Sequence, residues 1–272
     1  GTVEPGGLTT WQGLEIIRGA AGLNLVGCDL VEVSPPYDPT GNTALIAANF
    51  LYEMLCVLPG LLLADEASVK PGINTKFLDP KLNVAEWTQK FETESREIYH
   101  LRDKIVATAG IRPGMVVADI GAGTGLFTLA FSSAVGSGGT VYAVEIAKQF
   151  LDHIRARAAK VDAANVRTIL GTEQSVELPE ASIDLAFLCD VYHHFEYPKS
   201  SLATLHRAIR PGGELILIDF KRIPGKSSDF ILNHVRAGQE VFESEIVAAG
   251  FEKSGEVSDL LTENYFVRFK RK

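Results

Sequence analysis

The sequence predicts an α/β fold: a doubly wound, mostly parallel sheet of seven strands with an antiparallel last strand, plus a small N-terminal α/β appendage. Three observations carry this expectation. From about residue 115 short apolar, β-rich runs alternate with helical spacings, a pattern that right-handed crossovers turn into a parallel sheet. The first of these runs enters a glycine-rich turn and then a helix, and the second ends on a carboxylate. Before about residue 60 the composition differs, with Gly and Pro punctuating a short α/β segment.

In that first segment Thr9 or Thr10 can cap a helix through about Gly19. Leu23–Val33 is β-rich, Ser34-Pro35-Pro36-Tyr37-Asp38-Pro39 is a loop, and Thr43–Leu58 is an apolar helix. One strand between two helices can hardly bury both of its faces, so the unit must pack on something. It is therefore a candidate surface for homo-oligomer formation. The composition shift places this segment at 1–60, a linker at 61–74 and the main domain at 75–272.

The main domain opens with a helix expected from about Val84 to Ala109, apolar at Trp87, Phe91, Ile98 and Ile105 and charged at Glu94, Arg96, Glu97 and Arg102. Met115–Ile120 is the first strand, with too few polar residues for an exposed one, and Leu126–Val135 is the helix after it. Thr140–Val144 is the second strand, Lys148–Ala159 its helix, Val166–Leu170 the third strand and Asp184–Cys189 the fourth. Ser200–Ile209 is a helix closed by Arg210-Pro211-Gly212-Gly213, and Glu214–Asp219 is the fifth strand. A helix over Val235–Ala249 then precedes an antiparallel pair, Phe251–Val257 and Tyr265–Lys270, with Tyr265, Val267 and Phe269 on one face.

The turn Gly121-Ala122-Gly123-Thr124-Gly125 joins a strand to a helix N-terminus, the cradle that doubly wound folds offer to a cofactor. Glu145 follows about twenty residues later at a strand end, where a ribose-binding carboxylate belongs. The glycines fall as G-x-G-x-G with Asp119 just upstream, unlike the G-x-G-x-x-G that clamps a pyrophosphate. Together with Arg210-Pro211-Gly212-Gly213 and Leu178-Pro179-Glu180-Ala181-Ser182-Ile183-Asp184, this arrangement resembles class I S-adenosylmethionine (SAM)-dependent methyltransferases over about residues 75–272. The resemblance implies a Rossmann-like fold and SAM as cofactor, leaving S-adenosylhomocysteine as product. It also implies a cofactor site at Asp119, Gly121, Ala122, Gly123, Gly125, Glu145, Ile146 and Asp190, with Asp119 orienting the cofactor's amino end. After the third strand this chain has Gly171-Thr172-Glu173-Gln174 where the family commonly shows Gly-Asp, so Thr172 and Glu173 are both candidates for the adenine contact.

Methyl transfer is an in-line displacement at a sulfonium, and in open α/β sheets it belongs beyond the carboxyl ends of the strands. Asp190-Val191-Tyr192-His193-His194-Phe195 follows the fourth strand there. His193, His194 or Asp190 could take a proton from the acceptor, and the Tyr192 ring could attract the sulfonium or a cationic acceptor. No metal is expected, because no Cys or carboxylate ligand follows the adjacent histidines at metal spacing. The expected acceptor is a small molecule; a SAM-binding regulator or scaffold without catalysis is the other reading.

The N-terminal motif Val31-Glu32-Val33-Ser34-Pro35-Pro36-Tyr37-Asp38, with Gly1-Thr2-Val3-Glu4-Pro5-Gly6-Gly7 and Gly22–Leu30, resembles the C-terminal end of ureohydrolases, the agmatinase and arginase relatives, over about residues 1–58. That family uses a dinuclear manganese centre held by Asp and His, and a residue matching Glu32 helps hold the guanidinium group. All six histidines of this chain lie beyond residue 99, and Asp29 and Asp38 cannot assemble a two-metal site alone, so a non-catalytic fragment is expected. The chain starts at Gly1, which leads us to expect further sequence upstream.

Bulk properties narrow the remaining classes. At 272 residues with 46% hydrophobic and 22% charged side chains the chain reads as globular rather than disordered. A net charge of −8 demotes nucleic-acid phosphates as partners. Glu53 and Pro59 interrupt the most apolar stretch, so neither a membrane span nor a signal peptide is expected. Cys28, Cys56 and Cys189 lie far apart and suit a reduced, cytoplasmic protein.

Overall fold

Along Leu215–Ile218 successive side chains fall into two separate buried clusters. Leu215 and Leu217 join Ala118, Ala186 and Val267, while Ile216 and Ile218 join Val117, Leu185 and Phe266. A strand buried on both faces in this way needs helices on both faces to cover it. The protein is seen as a computed structural model that describes residues 9–20, 28, 30, 42–57 and 66–272. Two compact units divide the chain, Gly1–Glu66 and Ala67–Lys272.

The second unit holds one seven-stranded sheet: β1 (Val116–Ile120), β2 (Thr140–Glu145), β3 (Val166–Leu170), β4 (Ile183–Cys189), β5 (Ile209–Phe220), β6 (Phe251–Val257) and β7 (Asn264–Arg271). Their order is β3-β2-β1-β4-β5-β7-β6, with β7 antiparallel to both neighbours and the first five strands parallel. Tyr265, Val267 and Phe269 share one face of β7 as their spacing predicted. The chain crosses from β1 to β2 on one side and to β4 on the other, so the carboxyl ends of β1 and β4 flank a switch point, where such sheets bind ligands.

Ten helices are described: α1 (Thr10–Gly19), α2 (Asn42–Val57), α3 (Val84–Phe91), α4 (Glu97–His100), α5 (Arg102–Ala109), α6 (Leu126–Val135), α7 (Lys148–Lys160), α8 (Pro198–Ala208), α9 (Asp229–His234) and α10 (Gln239–Ala248). Phe127 and Phe131 of α6 and Ile105 of α5 cover one face of the sheet. Leu202 and Leu205 of α8, with Phe242 and Ile246 of α10, cover the other.

Three expectations are corrected. The single helix expected over residues 84–109 is broken into α3, α4 and α5. Glu92 leaves the helical region, and Arg96 is extended at φ −90°, ψ 120°. Long-range ties outweigh local propensity here, because the break lets Arg96 reach Asp190 and lets Glu97 reach the start of β7. The helix expected from Val235 begins only at Gln239, after a separate α9 capped by Ser228. The intervening turn brings Arg236 back onto both Glu245 oxygens at 2.8 and 2.6 Å. Finally, residues 67–74, assigned to the linker, belong to the second unit: Val69 N–H donates to the Glu196 carbonyl and Gly72 N–H to its carboxylate.

Glu97 fastens this rearranged segment. It accepts from the Thr262 hydroxyl and from the N–H groups of Thr262, Glu263 and Asn264, the last two at 3.0 and 3.1 Å. Partial burial opposes its charge, but those four hydrogen bonds outweigh it and hold the carboxyl below its ordinary value. Glu97→Ala removes the shared acceptor of these donors, of which the Asn264 N–H is partly buried. It is expected to cost about 2 kcal/mol, a fall in Tm of roughly 6 °C by thermal denaturation. Because the folded pKa is lowered, wild-type stability from this group is present above the unfolded carboxylate pKa and is lost as pH falls; the variant should lack that acid dependence.

The first unit contains α1 and α2. Thr9 and Gln12 cap α1 reciprocally, Arg18 pairs with Glu53 of α2 at 2.6 Å, and a Cβ on Gly13 would meet the Phe50 ring at 2.7 Å. Among its described residues only Ala47 is buried, whereas Trp11, Ile16, Leu45 and Tyr52 are exposed. Apart from Cys28 and Leu30, the strand expected at Leu23–Val33 and the following loop, including Asp29, Glu32 and Asp38, lie outside the described residues. Among the described residues no helix is long and apolar enough to cross a membrane.

Candidate active site

A cavity of about 560 Å³ opens over the switch point, within the range that suits a small ligand. β1 carries Asp119 into its floor, almost fully buried. Burial raises the Asp119 carboxyl to about 7, while a 2.6 Å hydrogen bond from the Thr128 hydroxyl favours its charge. The glycine turn follows at once, folded over the end of β2 by Gly121 and Ala122 N–H groups that donate to the Val144 carbonyl at 2.8 and 3.1 Å. Glu145, at the end of β2, is also buried. Desolvation raises its pKa against hydrogen bonds from the N–H groups of Gly123, Ala147 and Ile146 at 2.9, 3.1 and 2.8 Å.

Two of the glycines have different reasons to be glycine. Gly121 sits at φ +67°, and a Cβ there would lie 2.1 Å from Val191 Cγ2 at the end of β4. Gly125 sits at φ +81°, and its Cβ would meet Ile154 of α7 at 2.8 Å. Asp119, Gly121, Ala122, Gly123, Glu145, Ile146, Thr172, Glu173, Asp190, His193 and His194 all line the cavity. Gly125 does not. It packs the loop onto α7 and caps α6, so its part in the site is indirect.

The expectation for Tyr192 is also corrected. It lies in a 3-10 turn (Tyr192–His194) and points away from the cavity. Its ring is fully buried against Phe195 and Phe242, and its hydroxyl donates to Glu245 at 2.8 Å. Side chains of a 3-10 turn stand about 120° apart, so Tyr192 enters the core while His193 and His194 both border the cavity. Asp190, at φ +51°, does not stand free as a base either. One oxygen accepts from Arg96 and the other from Asn264 at 2.5 Å, so this buried carboxylate holds Arg96 in the cavity wall.

Sequence reasoning missed Asn74, Phe77 and His234 in the wall, and Asp219 behind it. Asn74, in the expected linker, is buried and donates to Glu173 at 3.1 Å and to the His194 carbonyl at 3.1 Å. Phe77 stacks near Trp87, with ring centroids 4.8 Å apart, and Trp87 near Phe91 at 5.1 Å; these rings close one side of the cavity. Asp219 ends β5, buried, with a carboxylate oxygen 2.8 Å from His193 Nδ1. His234, at the end of α9, comes to 3.2 Å of His194 across forty positions of sequence, a separation that leaves no local pattern to read. Burial first, then His193, His234 and Lys70, push His194 down to about 2.

Residues 118–217 match a family described as the methyltransferase domain. This part of the chain is a methyltransferase domain. Residues 1–56 match the arginase family, and this part is an arginase-family fragment. The fragment is 75% identical over 61 residues to a guanidinobutyrase of Pseudomonas aeruginosa, covering 22% of this chain and 19% of that one. It is 73% identical over 59 residues to a mitochondrial guanidino acid hydrolase of Homo sapiens, covering 22% and 17%. The chain thus spans less than a fifth of those two relatives. The methyltransferase domain is similar to a ubiquinone/menaquinone biosynthesis C-methyltransferase of Marinomonas, 28% identical over 118 residues, 43% of this chain and 47% of that one. In fold it resembles a SAM-dependent methyltransferase from Aquifex aeolicus, with a TM-score of 0.62 at 23% identity over 70% of this chain and 99% of that one. It also resembles the [4+2]-cyclase SpnF, with a TM-score of 0.59 at 13% identity over 75% and 96%. At these identities the two structures speak for the fold alone.

Proposed function

We propose that the methyltransferase domain binds SAM across the ends of β1 and β2 and transfers its methyl group to a small-molecule acceptor held beside His193 and His194. One observation carries this reading: two buried carboxylates, Asp119 and Glu145, flank a glycine turn on the wall of a closed-in cavity. Asp119 offers a charge to the cofactor's ammonium group. Glu145 already accepts from three backbone N–H groups, and the one remaining lone-pair site of an ionised carboxylate, on the oxygen bound only by Gly123, suits a ribose hydroxyl. Thr172 and Glu173 wall the adenine end. The cofactor supplies an activated methyl on a sulfonium. The protein's share is to hold an acceptor in line with it and keep water out, which the Phe77–Trp87–Phe91 wall serves.

Calorimetry of the full chain with SAM and S-adenosylhomocysteine tests the reading, followed by product release with a panel of acceptors. No heat with either nucleoside, with a nicotinamide dinucleotide binding instead, overturns it. The shared fold with a [4+2]-cyclase favours keeping a second outcome in view: tight SAM binding without methyl transfer marks a binding protein.

The pH dependence of affinity follows from Asp119. In the free protein its folded pKa, raised to about 7, means half of the molecules carry it protonated at neutrality, and the uncharged form is favoured below that. An ammonium ligand needs the anion. SAM affinity should therefore fall about tenfold per pH unit from pH 7 toward 5.5, with proton release on binding. Asp119→Asn should flatten that slope. A pH-independent wild-type affinity over this window contradicts the assigned contact.

For residues 1–60 we propose an assembly role without guanidine hydrolysis, given the exposed Trp11, Ile16, Leu45 and Tyr52 and a histidine-free segment. Sedimentation of the full chain should show a dimer or larger species; a monomer at all concentrations refutes this. Free Cys28 and Cys189 suit a reducing compartment, and we place the protein in the cytoplasm, which cell fractionation can check.

A further inference from the structure

We propose that His193, His194 and His234 form a site for a zinc-class divalent transition ion at the acceptor end of the cavity, with one coordination position open to an acceptor oxygen. One nitrogen from each ring lies within 4.8 Å of those of the other two. The Nε2 atoms of His194 and His234 are 3.2 Å apart. Two nitrogens sharing one tetrahedral ion, each about 2.1 Å from it, would stand about 3.4 Å apart, so this spacing needs almost no adjustment. All three residues line the cavity, which leaves the open position facing its interior.

His193 has the outer hydrogen-bond partner that a metal ligand requires, while His194 Nδ1 is buried without one. His193 Nδ1 lies 2.8 Å from Asp219, whose carboxylate is also fixed by the N–H groups of His193 and Phe220 at 3.1 and 2.8 Å. Such a carboxylate fixes the proton on Nδ1 and leaves the Nε2 lone pair free for an ion. His234 stacks on Phe230 with ring centroids 5.1 Å apart, and Arg222 holds the end of α9 through the Leu232 and Val235 carbonyls. Phe77 meets the His194 ring edge-on at 5.2 Å, and Asn74 holds the His194 carbonyl. The rings are therefore oriented before any ion arrives.

The donor set selects the ion. Three neutral imidazoles with an open position suit zinc, cobalt, nickel or copper, while magnesium and calcium require oxygen ligands. Lys70 Nζ, 2.8 Å from the Asn233 carbonyl, sets a positive charge behind α9 that the imidazole–metal bonds must outweigh. The consequence for catalysis rests on the proposed methyl transfer: the acceptor class is an oxygen acid such as a phenol or an enol. As the metal–oxygen bond forms, the O–H proton leaves to water, and the oxygen keeps an electron pair for the methyl carbon.

The test uses the untagged, metal-stripped full chain, titrated with Zn²⁺ by calorimetry and with Co²⁺ by visible absorption. One equivalent per chain is expected, with visible d–d bands. His234→Ala and His194→Gln should each weaken binding at least a hundredfold with the circular dichroism unchanged, whereas His100→Ala, exposed beside Glu94, should leave it as it is. If His234→Ala fails to fold, His234→Phe keeps the stack on Phe230 and reads the same loss. A folded wild-type chain that takes up no stoichiometric ion, or a folded His234 variant that binds as tightly as wild type, overturns the site. SAM calorimetry on the same samples separates the two ideas: SAM binding without metal uptake sinks only the ion site, and metal uptake without SAM binding sinks only the methyl-transfer reading.

Discussion

Gly121→Ala is expected to destabilise the protein by about 2–4 kcal/mol and to remove most of its affinity for SAM. Two physical costs add. An alanine at φ +67° loses about 1 kcal/mol relative to glycine, because the left-handed region crowds its Cβ. The new Cβ would also sit 2.1 Å from Val191 Cγ2, and overpacking of that kind costs about 1–3 kcal/mol as the β4 end and the turn push apart. That push moves the N–H groups that Gly121 and Ala122 direct at the end of β2. A double variant separates the contributions. Val191→Ala removes the nearest methyl but leaves the strained φ and the Val191 Cβ 2.9 Å from the new one, so Gly121→Ala with Val191→Ala should recover only part of the lost stability in urea denaturation. A single Gly121→Ala variant within about 0.5 kcal/mol of wild type would mean that the turn is not held as described.

Glu145→Ala should lower SAM affinity about ten- to a hundredfold by calorimetry. A carboxylate receiving a ribose hydroxyl contributes a hydrogen bond of about 1.5–3 kcal/mol, and every 1.4 kcal/mol is a factor of ten. The substitution has a second effect that stability measurements will see. It strips the acceptor from the Gly123, Ile146 and Ala147 N–H groups, so the glycine turn and the start of α7 lose the group that ties them together. Glu145→Gln keeps one acceptor oxygen and should fall between the two. Wild-type affinity in both variants would place the ribose elsewhere.

Much of the fold is legible in the chain because its information is local. Five β-rich runs, four of them followed by a helical spacing, leave few ways to build anything but a parallel sheet. The same holds for Gly121, Gly123 and Glu145, which sit at fixed distances from strand ends. Reading fails where distant groups override local preference. Residues 84–109 have the spacing of one helix, yet Arg96 and Glu97 are drawn to Asp190 and to the start of β7 and break it. Tyr192 has the same neighbours as His193, and only the handedness of a three-residue turn sends it into the core beneath α10 while the histidine enters the cavity.

By itself the sequence determined the sheet, the glycine turn at the end of its first strand, the carboxylate at the end of its second, and the arginase-family character of the first segment, since each is written in contiguous residues. Tertiary structure alone decided the acceptor end. Asp219, His234, Asn74 and Phe77 reach His193 and His194 from four distant places in the chain, and proximity produced by folding has no period, spacing or motif from which it could be read.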